Sequence, residues 1–147
     1  MANIQDFICR ERDAGKVTCA VYHGKNIAPR TDRLKALGFQ DIPENSWIAV
    51  SMEEALAIAT SCLHQNLEDK DEIMSRQRAR ELVEAFFAIL PADCTFRTNG
   101  NPYGIKLPAW INVGRGDPIS FSRYDTGIIA ECGGVVGILW VEDGGRV

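Results

Sequence analysis

An α+β fold is predicted by three signals in order along the chain: a lone alternating strand, two consecutive amphipathic helices, and a run of short strands with glycine turns. The expected architecture is one domain over residues 1–147, with a mainly antiparallel sheet and the two central helices packed on one face. A chain of 147 residues is a common size for one domain. No repeat, linker or shift in composition divides it.

Residues 1–12 fit a short amphipathic helix ending before Gly15. Residues 17–22 alternate, with Val17, Cys19 and Val21 on one face and Thr18, Ala20 and Tyr22 on the other, which is a strand pattern. Residues 29–43 lie between Pro29 and Pro43 and read as irregular, apart from one helical turn at 32–37 closed by Gly38. Ser51 and Glu54 have the spacing of a capping box, in which each side chain satisfies a backbone N–H left open at a helix start. Met52, Ala55, Leu56, Ala59, Cys62 and Leu63 then form one apolar stripe. The second helix carries Ala79, Leu82, Val83, Phe86 and Leu90 as its stripe, with Phe87 beside it, and stops at Pro91. Arg76, Arg78, Arg80, Glu81 and Glu84 fall mostly on its other side.

Strand signals follow Pro91. Residues 94–98 lead into Asn99-Gly100, a hairpin signal that Pro102 weakens. Residues 110–113 and 119–121 are short strand candidates. Residues 126–131 and 135–142 flank Gly133-Gly134 as a second hairpin. Residues 135–141 are apolar at every position but Gly137, as in a central strand covered on both faces. Trp47, Trp110 and Trp140 are assigned to the core.

Charge and cysteine usage exclude several classes. The net charge is −4, which argues against nucleic-acid binding, a task that favours a basic surface. The charge is uneven: net +3 over residues 1–40, −7 over 41–72 and 0 over 73–147. The N-terminus has no apolar secretory stretch, and no segment approaches the roughly 18 apolar residues of a membrane span. The expectation is therefore a cytoplasmic protein with no membrane partner. Cys9, Cys19, Cys62, Cys94 and Cys132 are odd in number and scattered, which argues against a disulfide framework and a zinc ribbon. All five are expected as thiols.

Catalytic motifs fail on context. Asp125-Thr126-Gly127 matches the active-site triplet of aspartic proteases, but only 20 residues follow it, too few for that fold. It reads as a turn into the strand 128–131. Arg115-Gly116-Asp117 matches a cell-adhesion tripeptide and reads as loop. His23 and His64 have no grouped carboxylates, so no metal-ligand pattern arises. His64 lies opposite the apolar stripe and is expected in solvent. No catalytic residue, metal or cofactor is assigned, and the expectation is a protein that is not an enzyme. The alternatives are a small enzyme pairing a cysteine with a histidine, or a subunit that self-associates through an exposed strand.

The acidic run Glu68-Asp69-Lys70-Asp71-Glu72 is the main positive feature. Acids near a helix start complement its dipole, which accounts for only part of the run. The rest fits a surface for a basic partner, since charge of one sign accelerates association. Glu142 and Asp143, beside Trp140 at a strand end, extend this candidate partner-binding set.

Trp47 ahead of Ser51-Met52-Glu53-Glu54-Ala55, the Thr98-Asn99-Gly100 turn, and Asp125-Thr126-Gly127 leading to Trp140-Val141-Glu142-Asp143 together resemble small bacterial immunity proteins of polymorphic or contact-dependent toxin systems. The resemblance spans residues 47–143. It implies a cytosolic, acidic, non-catalytic protein that occludes a cognate toxin with a basic surface, often a nuclease.

Overall fold

The computed structural model describes residues 3–23, 30–40, 42–100, 106–111, 113 and 117–146. The element order is α1 (Ile4–Glu11), β1 (Lys16–His23), α2 (Arg30–Ala36), a 3-10 turn (Glu44–Ser46), β2 (Ile48–Val50), α3 (Met52–His64), α4 (Arg76–Ala88), β3 (Thr95–Thr98), β4 (Ser122–Cys132) and β5 (Val135–Arg146). The strands form one antiparallel sheet in the order β1-β5-β4-β3-β2. The fold is α+β, as the pattern order predicts.

Local signals place most elements. Ser51 accepts from the Glu54 N–H while Glu54 accepts from the Ser51 N–H, so the capping box forms. The α4 stripe is buried at Ala79, Leu82, Val83, Phe86 and Leu90. Gly38 closes α2 by donating to the Lys35 carbonyl. The β4–β5 hairpin turns at Gly133-Gly134, with Cys132 opposite Val135. β2 lacks a signal because three residues are too few to show alternation.

The sheet is covered on both faces. On one, Ile8 of α1, Leu63 of α3 and Phe86 of α4 join Phe96, Ile128, Leu139 and Val141. On the other, Leu34, Phe39, Ile42, Trp47 and Ile119 join Ile129, Ile138 and Trp140. β5 is the apolar strand predicted to be covered on both faces. Gly127 faces Trp140 across the hairpin, and a Cβ there would stand 2.1 Å from the Leu139 carbonyl oxygen, so only glycine fits this approach.

α4 is also tied to α1. Arg78 donates to Glu11 at 2.9 and 2.7 Å. This hydrogen bond is the main reason the Glu11 carboxyl lies below its ordinary value. Its contribution is present above the unfolded carboxyl range and is lost as pH falls through the lowered folded value.

Expectations for the strands after Pro91, for one tryptophan and for the cysteines are corrected here. Asn99-Gly100 does not close a hairpin: β3 pairs with β2 and β4, and Asn99 is buried against β4. Residues 119–121 and the described part of 110–113 are not strands; the Ile111 N–H turns back to the Pro108 carbonyl, and the Ile119 carbonyl accepts from the Gln40 N–H. Trp110 is 58% exposed, whereas Trp47 and Trp140 are buried. Cys94 and Cys132 form a disulfide, leaving Cys9, Cys19 and Cys62 as free thiols. Thr95 pairs with Glu131, which sets Cys94 beside Cys132 across neighbouring strands. The expectations for Pro29, Asp41, Pro102, Gly114 and Arg115-Gly116 lie outside the described residues.

The disulfide joins cysteines 38 apart in sequence. Loop-closure entropy for such a ring is worth about 4 kcal/mol in the unfolded chain. The double variant C94S/C132S is expected to lose about 2–4 kcal/mol in urea melts. A midpoint equal to that of the oxidised parent would contradict this.

Candidate partner-binding site

The acidic run lies in the connection between α3 and α4, which folds into a turn held by its own backbone. Gln65 bridges to Glu72, the Asn66 N–H donates to the Asp71 carbonyl at 2.9 Å, and the Lys70 N–H donates to the Asn66 carbonyl at 2.9 Å. The Asn66 side-chain oxygen accepts from the Glu68 N–H at 2.8 Å, and an Asp69 oxygen accepts from the Asp71 N–H at 2.9 Å. Lys70 takes a left-handed φ of 65°. Its ammonium donates to the Leu67 carbonyl, inside the turn. Glu68, Asp69, Asp71 and Glu72 are all exposed.

A buried ion pair fastens this turn from beneath. Arg12 donates to Asp143 at 3.0 and 2.8 Å, and both side chains have no exposed surface. Its remaining N–H groups reach the carbonyls of Cys62 at 2.8 Å, Ala14 at 2.7 Å and Gln65 at 3.1 Å. All five guanidinium donors are thus satisfied, and two of the acceptors lie at the end of α3. Asp143 also accepts from the Leu67 N–H at 2.8 Å, and Leu67 is fully buried. Gly15 makes room: its φ is +62°, and a Cβ there would lie 2.1 Å from an Asp143 oxygen.

The structure therefore divides the predicted acidic set. Glu68, Asp69, Asp71 and Glu72 are brought together. Asp143 is a buried anchor and is not available to a partner. Alternation along β5 sends Glu142 to the opposite face of the sheet, where its carboxylate accepts from the Ser122 hydroxyl at 2.9 Å and lies 4.0 Å from the Lys16 ammonium. The wider acidic excess is dispersed as well. Glu44 pairs with Arg30 and lies 3.9 Å from Arg97, and the Glu54 carboxylate accepts from the Ser51 N–H as a helix cap. Arg12 is the residue that sequence reasoning missed, because its partner is 131 positions away.

Asp125-Thr126-Gly127 is corrected from a turn to the interior of β4. The Asp125 carboxylate is fully buried and accepts from the N–H groups of Ile119 at 3.1 Å and Ser120 at 3.2 Å, the Ser120 hydroxyl at 2.8 Å, and Trp140 Nε1 at 3.0 Å. The Thr126 hydroxyl donates to the Asn99 side chain at 2.8 Å. This arrangement fastens the segment 117–120 to the sheet.

The histidines and thiols are separated in role. His64 is partly buried, contrary to expectation: Nδ1 is 2.7 Å from the Met74 carbonyl oxygen and 3.7 Å from Glu72. His23 is exposed at the end of β1. Burial raises all three free thiols, Cys62 to about 12, so each stays protonated near neutral pH. Among the described residues, no group of three or more His, Cys, Asp or Glu could hold a metal ion, and no helix is long and apolar enough to cross a membrane.

Fold and site together define an α+β protein that carries, among its described residues, two buried carboxylate networks and one exposed acidic turn. Comparison with protein-family models, curated proteins and solved structures found no match.

Proposed function

We propose that this chain is a non-catalytic binding protein that presents the turn 66–72 to a basic partner, in the manner of an immunity protein occluding a toxin. The observation that carries this reading is the fixed display of Glu68, Asp69, Asp71 and Glu72 above the buried Arg12–Asp143 pair. A preorganised turn loses little conformational entropy on binding. Its charge raises the rate of encounter with a basic surface. Glu142, on the other face of the sheet, lies outside this surface. The raised thiols speak against a Cys/His enzyme, because the thiolate is the nucleophile.

Two measurements test the reading. The protein encoded beside this chain should co-purify with it and have a basic surface. The variant E68Q/D69N/D71N/E72Q should fold normally and associate with that partner at least about tenfold more slowly at low salt. Unchanged association, or a neighbour that does not bind, would sink the idea. The reading also places the protein in the cytoplasm, whereas disulfides persist mainly in oxidising compartments. Acid-quenching of cells followed by alkylation of the unfolded chain separates the two: five modified cysteines indicate a reducing compartment, and three indicate the Cys94–Cys132 bond.

A further inference from the structure

A second surface of opposite sign lies along α3 and the start of α4, walled by residues 106–110. Two adjoining cavities of about 360 and 370 Å³ meet there at Arg76 and Pro108. Arg76 and Arg80 line the first with Thr60, Glu53 and Trp110, and Lys106 and His64 line the second. The lining thus sets three permanent cations against one carboxylate, in a protein whose net charge is −4. Glu72 borders the far end through His64, 3.7 Å away.

The cations are arranged by structure. Arg76 has no carboxylate partner among the described residues; its Nη1 donates to the Ser61 hydroxyl at 3.4 Å. That hydroxyl donates to the Lys106 carbonyl at 3.1 Å, so one serine joins the wall to the arginine. Arg80 is held by Glu84 at 2.7 Å. Arg76 is also the first residue of α4, whose open N–H groups and dipole favour an anion.

The cleft also has an aromatic side and an unused polar group. Trp110 exposes 58% of its surface, whereas the other two tryptophans are buried. An exposed indole beside arginines suits a flat ring, through stacking and through its polar edge. Thr60 is 4% exposed, and its hydroxyl has no hydrogen-bond partner. Each cavity falls within the common range for small-ligand sites, roughly 300–1,000 Å³.

We propose that this cleft binds a small anion carrying a flat aromatic ring, with its phosphate or carboxylate between Arg76 and Lys106 and its ring against Trp110. The site does not use Glu68, Asp69 or Asp71 and needs no protein partner; Glu72 reaches only its far end, through His64. Arg76 supplies directed donors, Lys106 a point charge, and Trp110 the stacking surface.

Titration of the full chain with adenosine 5′-monophosphate, phenyl phosphate and benzoate, followed by tryptophan fluorescence and calorimetry, tests the proposal. At least one probe is expected to quench Trp110 saturably, with a dissociation constant of about 1 mM or tighter. R76Q and K106Q should each weaken binding by about tenfold, the loss of one charge-assisted hydrogen bond. W110A should abolish the quenching and weaken calorimetric binding by at least about fivefold. Inorganic phosphate should bind far more weakly than the aromatic probes. R123Q, which alters a cation outside the cleft, should bind as the parent does, and far-UV circular dichroism checks that each variant folds. The proposal is overturned if no probe binds at roughly 5 mM, if R76Q and K106Q both bind like the parent, or if inorganic phosphate equals the aromatic anions.

Discussion

Asp125→Ala is expected to lower stability by at least about 4 kcal/mol, because several buried donors lose their acceptor together and each orphaned group costs about 1–3 kcal/mol. The donors include the N–H groups of Ile119 and Ser120, the Ser120 hydroxyl and the Trp140 indole N–H, all in buried surroundings. Domains of this size commonly have about 5–15 kcal/mol in total, so the variant should be marginal at room temperature. The loss has a direction as well as a size. Residues 117–120 should detach first, exposing Phe39, Trp47 and Ile119 on the second core. Asp125→Asn keeps the shape but turns an amide N–H₂ toward other donors, so it should fall between parent and Asp125→Ala. Urea melts followed by tryptophan fluorescence read both, since Trp140 sits at the network. An Asp125→Ala midpoint within error of the parent would show that the network contributes no net stability.

Arg12→Ala is expected to cost about 3–5 kcal/mol, the usual penalty for leaving one charge of a buried pair without its partner. Asp143 would keep the Leu67 N–H at 2.8 Å and lose its two guanidinium bonds. The carbonyls of Cys62, Ala14 and Gln65 would lose their donor as well. The double variant R12M/D143L removes both charges and should recover part of the loss, because a buried ion pair is often no better than an apolar pair of similar volume. Amide hydrogen exchange adds a local readout. In Arg12→Ala the turn 66–72 should exchange faster than α4, since the turn is docked through Leu67 and Asp143. Equal protection of the two segments would disprove this account of how the turn is held. The same variant bears on the proposed function: if a rigid turn matters for partner binding, Arg12→Ala should weaken association while leaving all four exposed carboxylates in place.

The candidate site was only partly legible in the sequence. The cluster Glu68-Asp69-Lys70-Asp71-Glu72 is contiguous, so its charge could be read directly, and its exposure follows from the poor fit of unpaired charge to an interior. Asp143 looked equivalent to Glu142 because both are acids at one strand end. Strand alternation and the position of Arg12 make one an anchor and leave the other at the opposite face. The cleft beside Trp110 left no mark, since α3, α4 and residues 106–110 meet there only after the chain has folded.

Sequence alone determined the features whose partners are near in the chain. The Ser51–Glu54 capping box, the α4 stripe ending at Pro91, the β1 alternation, the Gly133-Gly134 hairpin and the two-faced burial of β5 are examples. Each reports steric and hydrogen-bonding preferences acting over a few residues. Tertiary structure alone decided that Asn99 packs into the core instead of closing a hairpin, that Cys94 meets Cys132, that the Trp140 indole N–H on the neighbouring strand reaches Asp125, and that Arg12 reaches Asp143. These are matters of register and layer packing between segments up to 131 residues apart. A one-residue shift in strand pairing would exchange the faces and dissolve every one of them.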